Sequence, residues 1–307
     1  MEDFSTNTTI HTARAPSIQK VDDFIDFIRE INELLQKEED LSPANLRVAN
    51  MIGRLSQQLR ICYSPEEIKA VLSDEYMVMN QRMLQDKLSK AEFQVELADS
   101  QHICRAEAAA MDIVTQLPYW TIYMALVSEE LSTLRPFNRQ DGQIENSPIV
   151  FVGSGPMPLS AIILHLLADV EVICLDIDPA ACETSCSFLE KMGLGTKVNV
   201  MMKDGAEFDY SCYSRIFVAS LVQNKLAVLE QIARTSQSPL VAVRTAVGMR
   251  QIMYEAIDEL QLNKRGWRIL ARTWPDVNLV INSTLFLDRA TNPDARSEEG
   301  ERRRAGH

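Results

Sequence analysis

Apolar residues in the first part of the chain recur at helical spacing. Val21, Phe24, Ile25, Phe27, Ile28, Ile31, Leu34 and Leu35 form one stripe and predict a helix over 21–35. Ser42-Pro43 reads as a cap followed by a first-turn proline, with Leu46, Val48, Ile52 and Leu55 behind it. Ser64-Pro65-Glu66-Glu67 repeats that signal, with Glu67 at capping-box spacing from Ser64. A long helix is expected over 86–115, and another after Pro118 through Tyr119, Tyr123, Leu126, Val127 and Leu131. The stripes resemble a helix bundle, without a heptad repeat.

The pattern changes at the polar segment 139–148. After it, short apolar runs alternate with helical stretches. Strands are expected at 149–152, 171–175, 197–202, 215–219 and 239–243, with helices at 159–168, 179–192, 224–235 and 249–261. Two last strands, near 268–272 and 277–287, flank Trp274-Pro275-Asp276 and suit an antiparallel hairpin at a sheet edge. The fold class is therefore α/β: a helical N-terminal domain over 1–145, a Rossmann-like domain over 146–290 and a disordered tail over 291–307.

Composition narrows the partners. The 307 residues are 46% hydrophobic and carry a net charge of −12, so no basic face is expected for nucleic acid. The start, Met1-Glu2-Asp3-Phe4, is acidic with no apolar run behind it, and no window is apolar enough to span a bilayer. The expectation is a cytoplasmic protein acting on small molecules, away from membranes, with a homodimer as an open expectation. Six scattered cysteines and four distant histidines form no metal-ligand pattern; Cys182 and Cys186 share a helix face but lack partners.

The most specific local pattern is Ile149–Val152 running into Gly153-Ser154-Gly155 and then a helix at Leu159. A strand passing through glycines to a helix N-terminus presents N–H groups to a nucleotide-like ligand. A dinucleotide fingerprint would place a third glycine where Pro158 stands. Asp176 closes the second strand, where its carboxylate can accept from ribose hydroxyls. Asp204 closes the third and can bond an adenine amine. Together the two acids favour S-adenosylmethionine over a nicotinamide cofactor.

Joined motifs then point to one family. Phe151-Val152-Gly153-Ser154-Gly155-Pro156-Met157-Pro158-Leu159-Ser160 resembles the glycine-loop signature of nicotianamine synthases. The stretches Ile216–Val222 (with Ala219), Val243–Arg250 and Ile281-Asn282-Ser283 resemble further family segments. So do Ala91–Glu96 and Leu117–Tyr123, in the same order, over roughly 85–290. The resemblance implies transfer of the 3-amino-3-carboxypropyl arm of S-adenosylmethionine to an amine, releasing methylthioadenosine, with no metal required. It implies Glu92 as general base, with Glu96 one turn on, and Tyr119 as an active-site phenol. It also implies Gly153, Ser154, Gly155, Asp176, Asp204 and Ala219 around the cofactor, and Tyr123 and Arg244 toward substrate.

Three positions depart from the family pattern. Trp120 stands for a Tyr, Ile122 for an Asn and Val247 for a His. The acceptor therefore stays open between nicotianamine assembly and a single transfer onto histidine, as in bacterial opine-type metallophore synthesis. A methyltransferase and a non-catalytic cofactor-binding protein remain as other readings.

Overall fold

The computed structural model describes residues 18–140, 147–275 and 282–289. Its first helices are α1 (Ile18–Lys37), α2 (Leu46–Gln58), α3 (Pro65–Leu72), α4 (Glu75–Arg105), α5 (Ala110–Val114) and α6 (Trp120–Leu134). The α1 stripe is buried as its spacing predicts, with Phe27 half-buried at its margin. Ser64 and Glu67 form the expected capping box: Glu67 N donates to Ser64 Oγ at 3.2 Å, and Ser64 N donates to the Glu67 carboxylate at 2.8 Å.

Two expected boundaries are corrected. Asn45, not Ser42, caps α2, because Ser42-Pro43 is held in a turn where Ser42 Oγ accepts from Ala44 N. The helix expected over 86–115 begins at Glu75, where Asp74 Oδ1 accepts from Tyr76 N and Met77 N. It ends at Arg105, where Ala106 turns extended, and α5 follows separately.

Strands and helices then alternate: β1 (Ile149–Val152), α7 (Leu159–Ala168), β2 (Val172–Asp176), α8 (Pro179–Lys191), β3 (Val198–Met202), β4 (Arg215–Val218), α9 (Lys225–Thr235) and β5 (Leu240–Thr245). The chain closes with α10 (Glu259–Lys264), β6 (Trp267–Arg272) and β7 (Ser283–Arg289). The sheet order is β3-β2-β1-β4-β5-β7-β6. The pairs from β3 to β5 are parallel, and β7 lies antiparallel between β5 and β6. This is the α/β architecture expected, with the final hairpin at one edge. Residues 277–281 of the last expected strand, and the tail from 291, lie outside the described residues.

The helix expected over 249–261 does not form. Gly248, at φ +61, opens a 3-10 turn over Gly248–Ile252, and α10 starts only after Asp258. Two groups take backbone bonds that the expected helix would have used. Thr245 Oγ1 accepts from Ile257 N at 2.9 Å, and Asp258 caps Leu260 N and Gln261 N. The apolar spacing there serves tertiary packing: Met249, Ile252, Met253 and Tyr254 join the core formed by α1 to α4.

Packing ties the helical part to the sheet. Val114, Val127 and Leu134 share one core with α7, α8, Phe151, Phe217 and Phe286. On the opposite face, α9 and α10 cover Val150, Val152, Ile216 and Val218. A buried pair crosses the first interface. Arg244 Nε and Nη2 donate to the Glu130 carboxylate at 2.9 and 3.0 Å, Arg244 Nη1 donates to Ser160 Oγ at 2.9 Å, and Thr284 Oγ1 donates to Glu130 at 2.6 Å.

Removing one partner of such a pair strands the other charge in apolar surroundings. Glu130→Ala should cost about 3–5 kcal/mol of folding stability, read from the midpoint of urea unfolding. A midpoint equal to wild type would show that the pair contributes nothing net.

Candidate active site

The parallel strands end at one side of the sheet, and the glycine loop leaves β1 there. Gly153 sits at φ +78 and Gly155 at φ +69, conformations that L side chains rarely adopt. Gly153 N donates to Leu175 O at 2.8 Å, which ties the loop to β2. The space is also closed: a Cβ on Gly153 would lie 2.4 Å from Val222 Cγ2, and one on Gly155 would lie 2.6 Å from Glu96 Oε2. So a carboxylate from α4 reaches the loop directly. Ser100 Oγ donates to Pro156 O at 3.0 Å and fastens α4 alongside.

Between α4, α6 and the strand ends lies a cavity of about 1180 Å³. Glu92, Tyr119, Tyr123, Gly153, Ser154, Gly155, Asp176, Asp204, Ala219 and Arg244 all line it, as does Glu96. The structure thus brings together every site residue read from the sequence, across 152 residues of chain from Glu92 to Arg244. Asp176 Oδ2 accepts from Gly155 N at 2.8 Å and its Oδ1 accepts from Asp178 N at 3.0 Å. Asp204 is exposed at the rim, where its Oδ1 accepts from Ala206 N at 2.8 Å. Ala219 N donates to Val152 O, placing the end of β4 beside the loop.

The wall that meets the loop is acidic and aromatic. Burial is the main force on Glu92 and pushes its carboxyl up to about 7, while a hydroxyl from Tyr254 pulls the other way. Glu96 is pushed well above the usual carboxylate range, first by burial and then by Glu92, Asp176 and Asp99. Tyr119 donates to Asp99 Oδ2 at 2.5 Å; burial and this bond both raise its phenol. Tyr123 meets Tyr119 edge-on at 6.4 Å, and burial raises its phenol too. A carboxyl poised near neutrality beside a nucleotide-type loop can take a proton from an incoming nucleophile.

Four further residues were not given a site role from the sequence. Tyr254 donates to Glu92 Oε2 at 3.2 Å. Asp99 holds Tyr119; its place on α4, three residues from Glu96, was a usable signal. Glu130 lies in the middle of the apolar stripe of α6, and a charge there signals a buried partner. Asn282 lines the cavity and donates to Ser220 Oγ at 2.9 Å. Of the three departures from the family pattern, Ile122 lines the cavity, whereas Trp120 and Val247 are not among its lining residues.

Comparison with known proteins gives the chain a family and its fold a counterpart. The family model described as "Nicotianamine synthase protein" matches residues 18–294. A probable nicotianamine synthase 2 of Hordeum vulgare is 24% identical over 92% of this chain and 84% of its own length. Nicotianamine synthase 2 of Oryza sativa subsp. japonica is 27% identical over 89% and 84%. An L-histidine 2-aminobutanoyltransferase of Pseudomonas aeruginosa is 31% identical, over 46% of this chain and 53% of its own. Among solved structures, MtNAS in complex with MTA and tNA superposes with a TM-score of 0.73 at 22% identity, covering 87% of this chain and 98% of that one.

The raised carboxyl has a consequence for stability. A group whose folded pKa lies above its unfolded value contributes stability at low pH, which is lost as pH rises from the ordinary carboxylate range through about 7. Glu92→Gln should therefore raise Tm at pH 8 by roughly 2–6 °C and leave it nearly unchanged at pH 4. Melting curves at the two pH values decide it; an equal shift at both would remove the burial argument.

Proposed function

The chain belongs to the nicotianamine synthase family, and from that premise we propose that it moves the 3-amino-3-carboxypropyl arm of S-adenosylmethionine onto an amine. The observation that carries this reading is the meeting of the Gly153–Gly155 loop and Glu92 in one cavity. The lone pair of the acceptor amine attacks the arm's terminal methylene. The carbon–sulfur bond breaks, its electron pair passes to the sulfonium, and methylthioadenosine leaves as a neutral thioether. The proton shed by the amine goes to Glu92.

Each lining group has work in that step. The loop shapes the donor site, its own N–H groups being spent on Leu175 O and the Asp176 carboxylate. Asp176 faces the ribose and Asp204 the adenine amine. Arg244, held by Glu130 and Ser160, lines the cavity as a cationic group. Tyr119 and Tyr123 line the side from which the amine arrives. Because the sulfonium activates each attached carbon, position alone selects the arm over the methyl group. A product carrying alternating carboxylates and amines would bind divalent transition metals, which suits a metallophore.

A second reading of the acceptor has its own support. The stretch matching the Pseudomonas histidine transferase is more similar than the plant synthases are over their longer alignments, and Ile122 removes an amide from the cavity wall. Histidine is then the acceptor in a single transfer.

Incubation with S-adenosylmethionine, with and without histidine, should release methylthioadenosine. S-adenosylhomocysteine as the product would overturn the reading in favour of methylation. Glu92→Gln should lower kcat by about 10²–10⁴ while keeping donor affinity, measured by calorimetric titration.

A further inference from the structure

We infer that Tyr254 is the positioning residue of the general base: its hydroxyl holds the Glu92 carboxylate in its working rotamer and favours its ionised form. This rests on the assignment of Glu92 as base. The two residues are 162 positions apart and join across the cavity wall at 3.2 Å. Tyr254 itself is 6% exposed, so its ring has little freedom to leave.

One helix sets both ends of this contact. Gln81, Gln85, Leu88 and Glu92 follow one another at spacings of four, three and four along α4, and so share a face. Gln81 Nε2 and Gln85 Nε2 each donate to Gln251 O at 2.7 Å. Gln251 belongs to the 3-10 turn that delivers Tyr254, whose own N–H donates to Arg250 O at 3.1 Å. On the far side, Ile257 N is pinned to Thr245 Oγ1. The helix carrying the carboxylate therefore also fixes the turn carrying the hydroxyl, and their separation cannot drift as two independent parts would.

The surroundings give that hydroxyl a definite role. Burial drives Glu92 toward its neutral form, and the Tyr254 hydrogen bond opposes it. Burial and the carboxylates Glu92 and Glu96 raise the Tyr254 phenol well above its usual range, so it stays a donor at working pH. The other groups facing this pair are Glu96 on α4, Tyr123 from α6 and Arg244 from β5; Arg244 interacts with Tyr123 and Tyr254. Of these groups, Tyr254 is the one that donates a hydrogen bond to Glu92 among the described residues.

Tyr254→Phe keeps the ring and removes the donor. The acid limb of kcat for methylthioadenosine release should move up by about one pH unit, with kcat falling several-fold at pH 7 and recovering at pH 9, at unchanged KM for S-adenosylmethionine. Gln85→Leu keeps the hydroxyl but frees one anchor of its turn; it should move the same limb in the same direction by less, and it serves if Tyr254→Phe folds poorly. A profile that superimposes on wild type in both variants, while Glu92→Gln is inactive, overturns the positioning role and leaves the base intact. Full activity of Glu92→Gln overturns the base assignment itself.

Discussion

Arg244 meets Glu130 where the helical part of the chain closes over the sheet, and the geometry of the cavity follows from that contact. Burying two charges is costly, and their attraction offsets the cost only when the remaining donors and acceptors are also filled. Here they are: Ser160 takes a third guanidinium bond and Thr284 a further bond on the carboxylate. The cluster joins α6, α7, β5 and β7 in one place. It fixes α6 above the carboxyl ends of the strands, which sets Tyr119 and Tyr123 facing the glycine loop.

With α6 fixed, α4 supplies the opposite wall. Its length lets a single helix deliver Gln81 and Gln85 to the turn before Tyr254, Glu92 and Glu96 to the cavity, Asp99 to Tyr119 and Ser100 to the loop backbone. The electrostatic result is a cavity in which burial drives the Glu92 and Glu96 carboxyls toward protonation, with neighbouring carboxylates adding to it at Glu96. A donor bearing a sulfonium reverses that pressure, because a cation beside a carboxyl favours the ionised form. The same site then prefers the charged donor to its neutral thioether product and has its base most ionised while the donor is present.

Different layers of this were legible in the sequence for different reasons. The glycine loop, Asp176 and the capping box at Ser64 are local signals, complete within a few residues, and the structure places them as their spacing implies. Glu92, Tyr119, Tyr123 and Arg244 carry no local signature; only their place in joined motifs marked them, and folding then gathered them into one cavity. Which residues they pair with was not legible because the contacts span the chain: Tyr254 lies 162 residues from Glu92, and Glu130 lies 114 from Arg244. The segment 249–261 misled for a related reason. Its apolar residues are spaced for a helix, yet they pack against α1 to α4 while Thr245 and Asp258 take the backbone bonds a helix would have used.

The central claim is that burial, tempered by one hydroxyl from across the cavity, holds Glu92 ready to accept a proton near neutral pH. Carbon-13 NMR titration of the glutamate carboxyl groups, with Glu92→Gln to assign the signal, measures this directly. A midpoint near 7 is the predicted result. A midpoint in the ordinary range, around 4.3, would contradict the account.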